Sequence, residues 1–334
     1  MGNPILQTFP LGVPWQTQDP FLFCVYHWDH YPKGDGNFGP DPALLEGRNL
    51  GNDFDPTQKW RMYHGQTIPG FPYHPHRGFE TITIVNKGFC DHSDSLGAAG
   101  RFGEGDVQWM TAGRGVQHSE MFPLLHTDKD NPLELFQIWL NLPKASKFVE
   151  PHFKMLWYED IPVIKEENAS IKVIAGNYKG TQANKPTPDS WAASEENEVA
   201  IWNIQVDPNT EFTLPKATAE VARTLYFYEG SEIFFGERKV NPNFGIALDP
   251  SQDTVLKVGG EKAHLLMLQG KPIDEPVAKY GPFVMNTEQE IQQAMEEYRL
   301  TQFGGWPWPH ADNVHGADKG RFAKYPDGTL VEKN

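Results

Sequence analysis

Apolar side chains fall along this chain in short runs, often alternating with polar ones. Each run is closed by Gly, Pro, Asn or Asp. Examples are Thr81-Ile82-Thr83-Ile84-Val85, the stretches 133–140 and 199–206, Thr224-Leu225-Tyr226-Phe227-Tyr228, Glu232-Ile233-Phe234-Phe235 and the stretch 263–268. Successive side chains of a strand point to opposite faces, so this period predicts β-strands. Many short strands with turn punctuation predict an all-β chain of sandwiches or jelly rolls. One helix is expected, over 287–300, where Thr287 and Glu290 are spaced as a capping box and Ile291, Ala294, Met295 and Tyr298 recur at helical spacing.

A chain of 334 residues exceeds what one hydrophobic core usually serves, which predicts two domains. Strand-rich sequence on both sides places the change near residue 148, giving an N-terminal domain over 1–147 and a C-terminal one over 148–300. Two segments read as loops laid over a compact core: an insertion over about 29–72, rich in Gly, Pro, Asn and Asp, and a tail over 301–334 carrying Trp306-Pro307-Trp308-Pro309-His310. The tail's aromatic residues are expected to pack on the protein itself or on a second copy. Trp28, Tyr31, Trp60, Tyr63 and His64 of the insertion lie just upstream of the most informative strand, and either fold over a site as an aromatic lid or cover the outside of the domain.

Two cysteines, Cys24 and Cys90, are too few for a disulfide framework and wrongly spaced for a redox pair or a zinc knuckle. The first residues lack a basic and apolar leader, and no run is long enough to span a membrane, so a cytoplasmic protein with no membrane association is expected. A formal charge of −15 without a Lys/Arg cluster opposes direct binding to a nucleic-acid backbone. The acidity serves solubility first.

Chemistry concentrates in two stretches. In Phe71-Pro72-Tyr73-His74-Pro75-His76-Arg77-Gly78-Phe79-Glu80, the imidazoles of His74 and His76 are two residues apart, so on a strand they aim into one cavity. Counted straight on, Glu80, Ile82 and Ile84 share that parity and are expected to face inward too. The second stretch, from Gly105 to Met121, reads as strand, glycine-rich turn, strand, and Val116, His118 and Glu120 share a face. If the two strands lie side by side, three neutral imidazoles and a carboxylate converge, a set suited to a divalent first-row ion with open positions. An HxH pair alone is more often a packed, hydrogen-bonded couple than a metal site. Followed by GDxxxxxxGxGxxHxE, it carries more weight.

These residues resemble the pirin family of bicupins. The resemblance runs through His74-Pro75-His76-Arg77-Gly78-Phe79-Glu80-Thr81, the segment from Gly105 to Gly115 with His118 and Glu120, and Gly281-Pro282-Phe283-Val284-Met285-Asn286-Thr287. It covers roughly 65–300. It implies two cupin (jelly-roll) β-barrels, one iron-type metal in the first held by His74, His76, His118 and Glu120, and none in the second. Cupins in general often take their carboxylate at the position of Glu80, so Glu80 stands as the alternative fourth ligand. Between Val199 and Gln269 a single histidine, His264, is present. The second barrel is therefore read as structural or substrate-shaping. His27, His30, His64, His92, His126, His152, His310 and His315 are scattered and read as surface residues.

Two functions follow from the resemblance. One is a quercetin 2,3-dioxygenase-like oxygenase acting on a flavonoid-like molecule and O2, with Glu120 or Glu80 as the catalytic proton acceptor. The other is a metal-responsive or redox-responsive regulatory protein acting through a protein partner. Fe(II) is the ion the resemblance implies; by donor type alone Ni, Zn, Cu or Mn also suit the site.

Overall fold

The structure, a computed structural model, describes residues 3–333. Its backbone is dominated by strands, and the single α-helix among the described residues is Glu288–Thr301. That helix begins as expected. Thr287 accepts from the amide of Glu290, whose side chain returns to the Thr287 amide. Ile291 and Ala294 are buried against Phe283 and Met285, whereas Met295 is exposed. No helix is long and apolar enough to cross a membrane.

The chain forms two compact units, each assembled from separated segments. One comprises Tyr26–Gln137, Lys144–Tyr158 and the chain from Glu275 onward; the other comprises the chain up to Val25, Ile138–Pro143 and Glu159–Asp274. The units interleave across the boundary expected near 148, and backbone pairing gives the reason. Strand β1 (Ile5–Pro10) pairs with Phe244–Leu248, far along the chain, while the tail strand Arg321–Lys324 pairs with residues 99–101. Edge strands otherwise left with open hydrogen-bonding groups are covered in this way.

The unit that carries the HxH motif is built on two large sheets, with a two-stranded one of Ala278–Tyr280 and Phe283–Met285 beside the helix. Label the strands β2 (Phe21–Tyr31), β3 (Gly70–His76), β4 (Phe79–Lys87), β5 (Phe89–Asp94), β6 (Ala99–Gly103), β7 (Val107–Thr111), β8 (Val116–Met121), β9 (Asn131–Asn141) and β10 (His152–Leu156). One sheet has the order β10-β7-β4-β9-β2, the far ends of β2 and β9 belonging to the other unit; the second runs Leu330–Lys333, Arg321–Lys324, β6, β5, β8, β3. Val85, Leu133, Leu135 and Phe153 from the first sheet pack with Cys90, Phe102 and Ala323 from the second and with Phe122 just past β8. Both cysteines are buried and free.

The tail does more than lie over the surface. It contributes two strands, stacks Trp306 on Tyr73 with centroids 5.0 Å apart, and sends the Trp308 indole N–H to the Asp94 carbonyl at 2.8 Å. In the insertion, Arg61 pairs with buried Asp29 at 2.7 Å, and Arg48 lies 3.5 Å over the Trp60 ring.

The other unit has a seven-stranded sheet containing β1 and six later strands, from Val163–Lys165 to Ala263–Gly270, and a four-stranded sheet of Glu211–Leu214, Thr254–Val258, Ile233–Phe235 and Arg238–Val240. Its core draws on Trp202, Ile204, Leu225, Phe227 and Met267 from the first and Phe212, Ile233 and Leu256 from the second. Both units are therefore two-sheet β structures of the jelly-roll kind, as the strand pattern predicts.

Candidate metal centre

β3 and β8 are adjacent and antiparallel, with His74 opposite His118 and His76 opposite Val116, so all three imidazoles project from one face. A register irregularity between Phe71 and His74 kinks β3 just before the motif. The ring centroids lie 4.7 Å (His74 to His76), 4.6 Å (His74 to His118) and 4.9 Å (His76 to His118) apart. One nitrogen from each falls within 4.8 Å of the others, and this is the metal-capable group among the described residues.

Local contacts fix the tautomers. A carbonyl oxygen only accepts, so the 2.9 Å contact from His74 Nδ1 to the Pro72 carbonyl puts the proton on Nδ1 and leaves the Nε2 lone pair free. His76 Nδ1 faces the Pro282 carbonyl at a longer 3.4 Å, in the same sense. His118 is fully buried with neither ring nitrogen bonded to any protein group. An unsatisfied buried polar group costs about 1–3 kcal/mol. Burial also holds all three rings neutral: His74 is lowered to about 4, and His76 and His118 fall further because neighbouring imidazoles add to the desolvation. Three neutral imidazoles facing one another, one of them with both buried nitrogens unpartnered, are what a divalent ion would satisfy.

Glu120 stands beside this group. Its nearest oxygen is 3.8 Å from His118 Nε2, and it closes a three-sided ring with side chains from the opposite sheet. Glu120 Oε1 lies 2.8 Å from Thr83 Oγ1, Thr83 Oγ1 lies 2.5 Å from Gln137 Oε1, and Gln137 Nε2 lies 2.8 Å from Glu120 Oε2. Three contacts need three hydrogens. The hydroxyl supplies one and the amide one, whichever way the amide is turned, so the ring closes fully once the carboxyl takes up the third. Burial raises the Glu120 pKa, against opposing contributions from Thr83, His92 and Gln137, in keeping with a group that takes up a proton readily.

Glu80 does not face this cavity. The Arg77–Gly78 turn carries the chain from one sheet to the other and resets the alternation, so Val85, Thr83 and Phe79 point inward. Glu80, Ile82 and Ile84 take the opposite face, where Glu80 accepts from Thr111 at 2.6 Å. Gly78 has φ +85°, and a Cβ there would sit 2.0 Å from the Val284 carbonyl oxygen. Parity counted through the turn therefore gives the wrong face for Glu80.

His92, expected at the surface, is fully buried on the same inward face. It sits opposite Glu120 in the β5–β8 ladder, 5.5 Å from the His118 ring, stacked on Phe153 and 3.3 Å from Asp94. The sequence holds a signal for it: Cys90, His92 and Asp94 alternate in step along a strand. Thr83 and Gln137 carry a similar signal, as polar residues at positions in phase with core-facing Val85, Leu133 and Leu135. The aromatic residues of the insertion divide. Tyr63 stacks on Phe71 at 5.1 Å, His64 lies 5.7 Å from the same ring, and Phe71 lies 6.3 Å from His74, so these two border the site. Tyr31 enters the core, Trp60 lies beneath Arg48, and Trp28 lies beneath Lys87.

Two family models match the chain, Pirin over residues 48–140 and the Pirin C-terminal cupin domain over 201–304. A Pseudomonas aeruginosa protein provisionally named as a quercetin 2,3-dioxygenase is 34% identical over 253 residues, which is 75% of this chain and 82% of the relative. Human pirin is 30% identical over 266 residues, covering 77% of this chain and 86% of the relative. Among solved structures, quercetin 2,3-dioxygenase from Acinetobacter baumannii superposes with a TM-score of 0.69 at 26% identity, over 90% of this chain and 98% of that one.

Proposed function

The chain belongs to the pirin family of bicupins, and from that premise we propose that its three-histidine site holds one divalent metal ion and serves a quercetinase-type dioxygenation. The observation that carries the reading is His118, buried with both ring nitrogens unpartnered beside His76 and beside His74, whose tautomer leaves Nε2 free. His74, His76 and His118 would hold the ion, with Glu120 as the carboxylate that completes the set. Fe(II) is the proposed native ion, and the same donors would also accept nickel, zinc, copper or manganese. A bound ion of this type supplies Lewis acidity, which lowers the pKa of a hydroxyl brought to it.

The remaining work falls to the chain. Glu120 accepts the proton of a flavonol-like hydroxyl, and its raised pKa brings it nearer the operating range of a general base than an ordinary carboxylate. Thr83 and Gln137 hold the carboxyl in place and are fully hydrogen-bonded to it once it is protonated. Phe71, with Tyr63 and His64 packed on it, provides an apolar aromatic border suited to a flat polyphenol. The likeness to proteins named as quercetin 2,3-dioxygenases supports flavonoid and O2 as the substrate pair.

Oxygen uptake by protein loaded anaerobically with Fe(II) and offered quercetin, run beside His118→Ala, tests the reading. Turnover in the parent that disappears in the variant, together with its bound metal, is expected. No uptake from parent protein that retains one metal per chain would remove the oxygenase and favour a metal-responsive protein acting through a partner.

A further inference from the structure

The second unit encloses a charge that its own side chains do not neutralise. Strand Ala263–Gly270 pairs on one side with Ala200–Val206 and on the other with Ala222–Glu229. On these strands Trp202, Arg223 and Gln269 share the parity of Ile204, Leu225 and Met267, which build the core. Arg223 is only 2% exposed. Its Nε and Nη2 both donate to Oε1 of Gln269, and Nη1 donates to the Pro215 carbonyl at 2.7 Å. The Gln269 amide nitrogen is itself committed to the Glu198 carbonyl at 3.0 Å, which fixes the amide oxygen toward Arg223. One N–H on each terminal guanidinium nitrogen is left without an acceptor. Among the described residues no carboxylate lies within 4.0 Å of the guanidinium, and Glu198 and Asp253 act on it only from farther away.

A buried cation held by neutral groups alone is expensive, and a well-packed apolar residue in its place is often neutral or stabilising. Beside it lies a cavity of about 730 Å³, lined by Arg223 with Lys179, Lys185, Lys216, Glu195 and Glu198. That is four basic against two acidic side chains in a chain of formal charge −15. One of the lysines, Lys179, is paired with Glu166 at 2.6 Å. Trp202 lines the same cavity, and its indole N–H is buried without an acceptor. Cavities of roughly 300–1,000 Å³ are the usual size for small-molecule sites.

We propose that this cavity binds a small organic acid, with its carboxylate on the two unused N–H groups of Arg223 and the Trp202 indole N–H as a further donor. N–H groups from the two terminal nitrogens of a planar guanidinium can meet the two oxygens of a carboxylate. The site is independent of the metal centre and of the reaction assigned to it.

The test is a titration of the full-length, ¹⁵N-labelled protein with benzoate, succinate, citrate and inorganic phosphate. The readouts are the Trp202 indole resonance, assigned with Trp202→Phe, and the Arg223 guanidinium resonances. A carboxylate is expected to move both along one saturating curve while phosphate does not. Arg223→Met is expected to fold and to lose affinity by roughly thirtyfold or more. Saturation by phosphate alone, no saturable shift with any acid, or equal affinity in Arg223→Met would each overturn the proposal. The Arg223 resonances of the parent decide the matter even if the variant does not fold.

Discussion

Replacing Thr83 by Val separates the organisation of Glu120 from the three histidines. The two side chains have nearly the same shape, so packing is kept while one hydroxyl is lost from the ring. Oε1 of Glu120 at 2.8 Å and Oε1 of Gln137 at 2.5 Å both lose their contact to Oγ1. Buried acceptors left unpaired cost about 1–3 kcal/mol, and at ~2–4 °C per kcal/mol for a domain of this size the melting temperature falls by several degrees. The histidine nitrogens are untouched, so metal content should stay near that of the parent. Turnover should fall about 10–100-fold, the usual effect of removing a group that orients a working side chain. The Thr83 hydrogen bond lowers the Glu120 pKa, so its loss lets that pKa rise further. A base is useful only above its pKa, so the acid limb of the pH–rate profile moves to higher pH. Thr83→Ser should restore both turnover and profile. A folded, metal-loaded Thr83→Val protein with parental turnover and an unshifted acid limb would refute the role given to the ring.

Glu80→Gln should leave metal content and turnover at parental levels, because the side chain lies on the far face of β4 and an amide oxygen can still accept from Thr111; loss of metal from this variant, measured by elemental analysis, would return Glu80 to the site. The metal-free protein should lose stability on acidification. Burial lowers the folded-state pKa of His74 from 6.5 to about 4, and those of His76 and His118 further. Below pH 6.5 the unfolded chain therefore binds protons that the folded chain refuses, and stability declines as pH falls from there toward 4. Glu120, Asp29 and Asp106, raised by burial, act in the opposite direction, and His27 and His315, lowered by burial, add to the decline. Thermal melts from neutrality into mild acid should show this decline, and His76→Leu should flatten it; an equal slope in that variant would rule out the buried imidazoles as its source.

The strands were legible because their alternation is local and their ends carry turn residues. The histidine triad was legible for the same reason, since His74, His76 and His118 lie on two strands short enough for parity to hold. Glu80 marks where that counting stops. The turn at Arg77–Gly78 passes between sheets, and its positive φ of +85° at Gly78 resets the phase in a way that residue identity does not announce. His92 was read as a surface residue because it stands apart from the two motifs, yet it and its polar neighbours Asp91, Ser93 and Asp94 are fully buried. Their polarity is absorbed by long-range partners, including Arg101 on Asp91 at 2.7 Å and Asn313 on Ser93 at 2.9 Å. The interleaving of the two units rests on the same kind of fact. Pairing of β1 with Phe244–Leu248 is a contact between distant segments, and nothing in either segment alone selects it.

The two units share an architecture and differ in what their interiors leave unsatisfied. A jelly roll whose only task is to fold can fill its interior with Ile, Leu, Val and Phe, as most of the second core does. In the first unit the exceptions are imidazoles held neutral, with nitrogen lone pairs facing one another, which attract a cation. In the second the exception is a guanidinium with spare N–H groups at the edge of a cavity, which attracts an anion. A barrel whose strands carry the single histidine His264 is therefore not inert on that account. The same reasoning that assigns an ion to His118, a buried polar group whose cost the protein alone does not offset, assigns a carboxylate to Arg223. The two assignments can fail separately, because one rests on lone pairs and the other on unused donors.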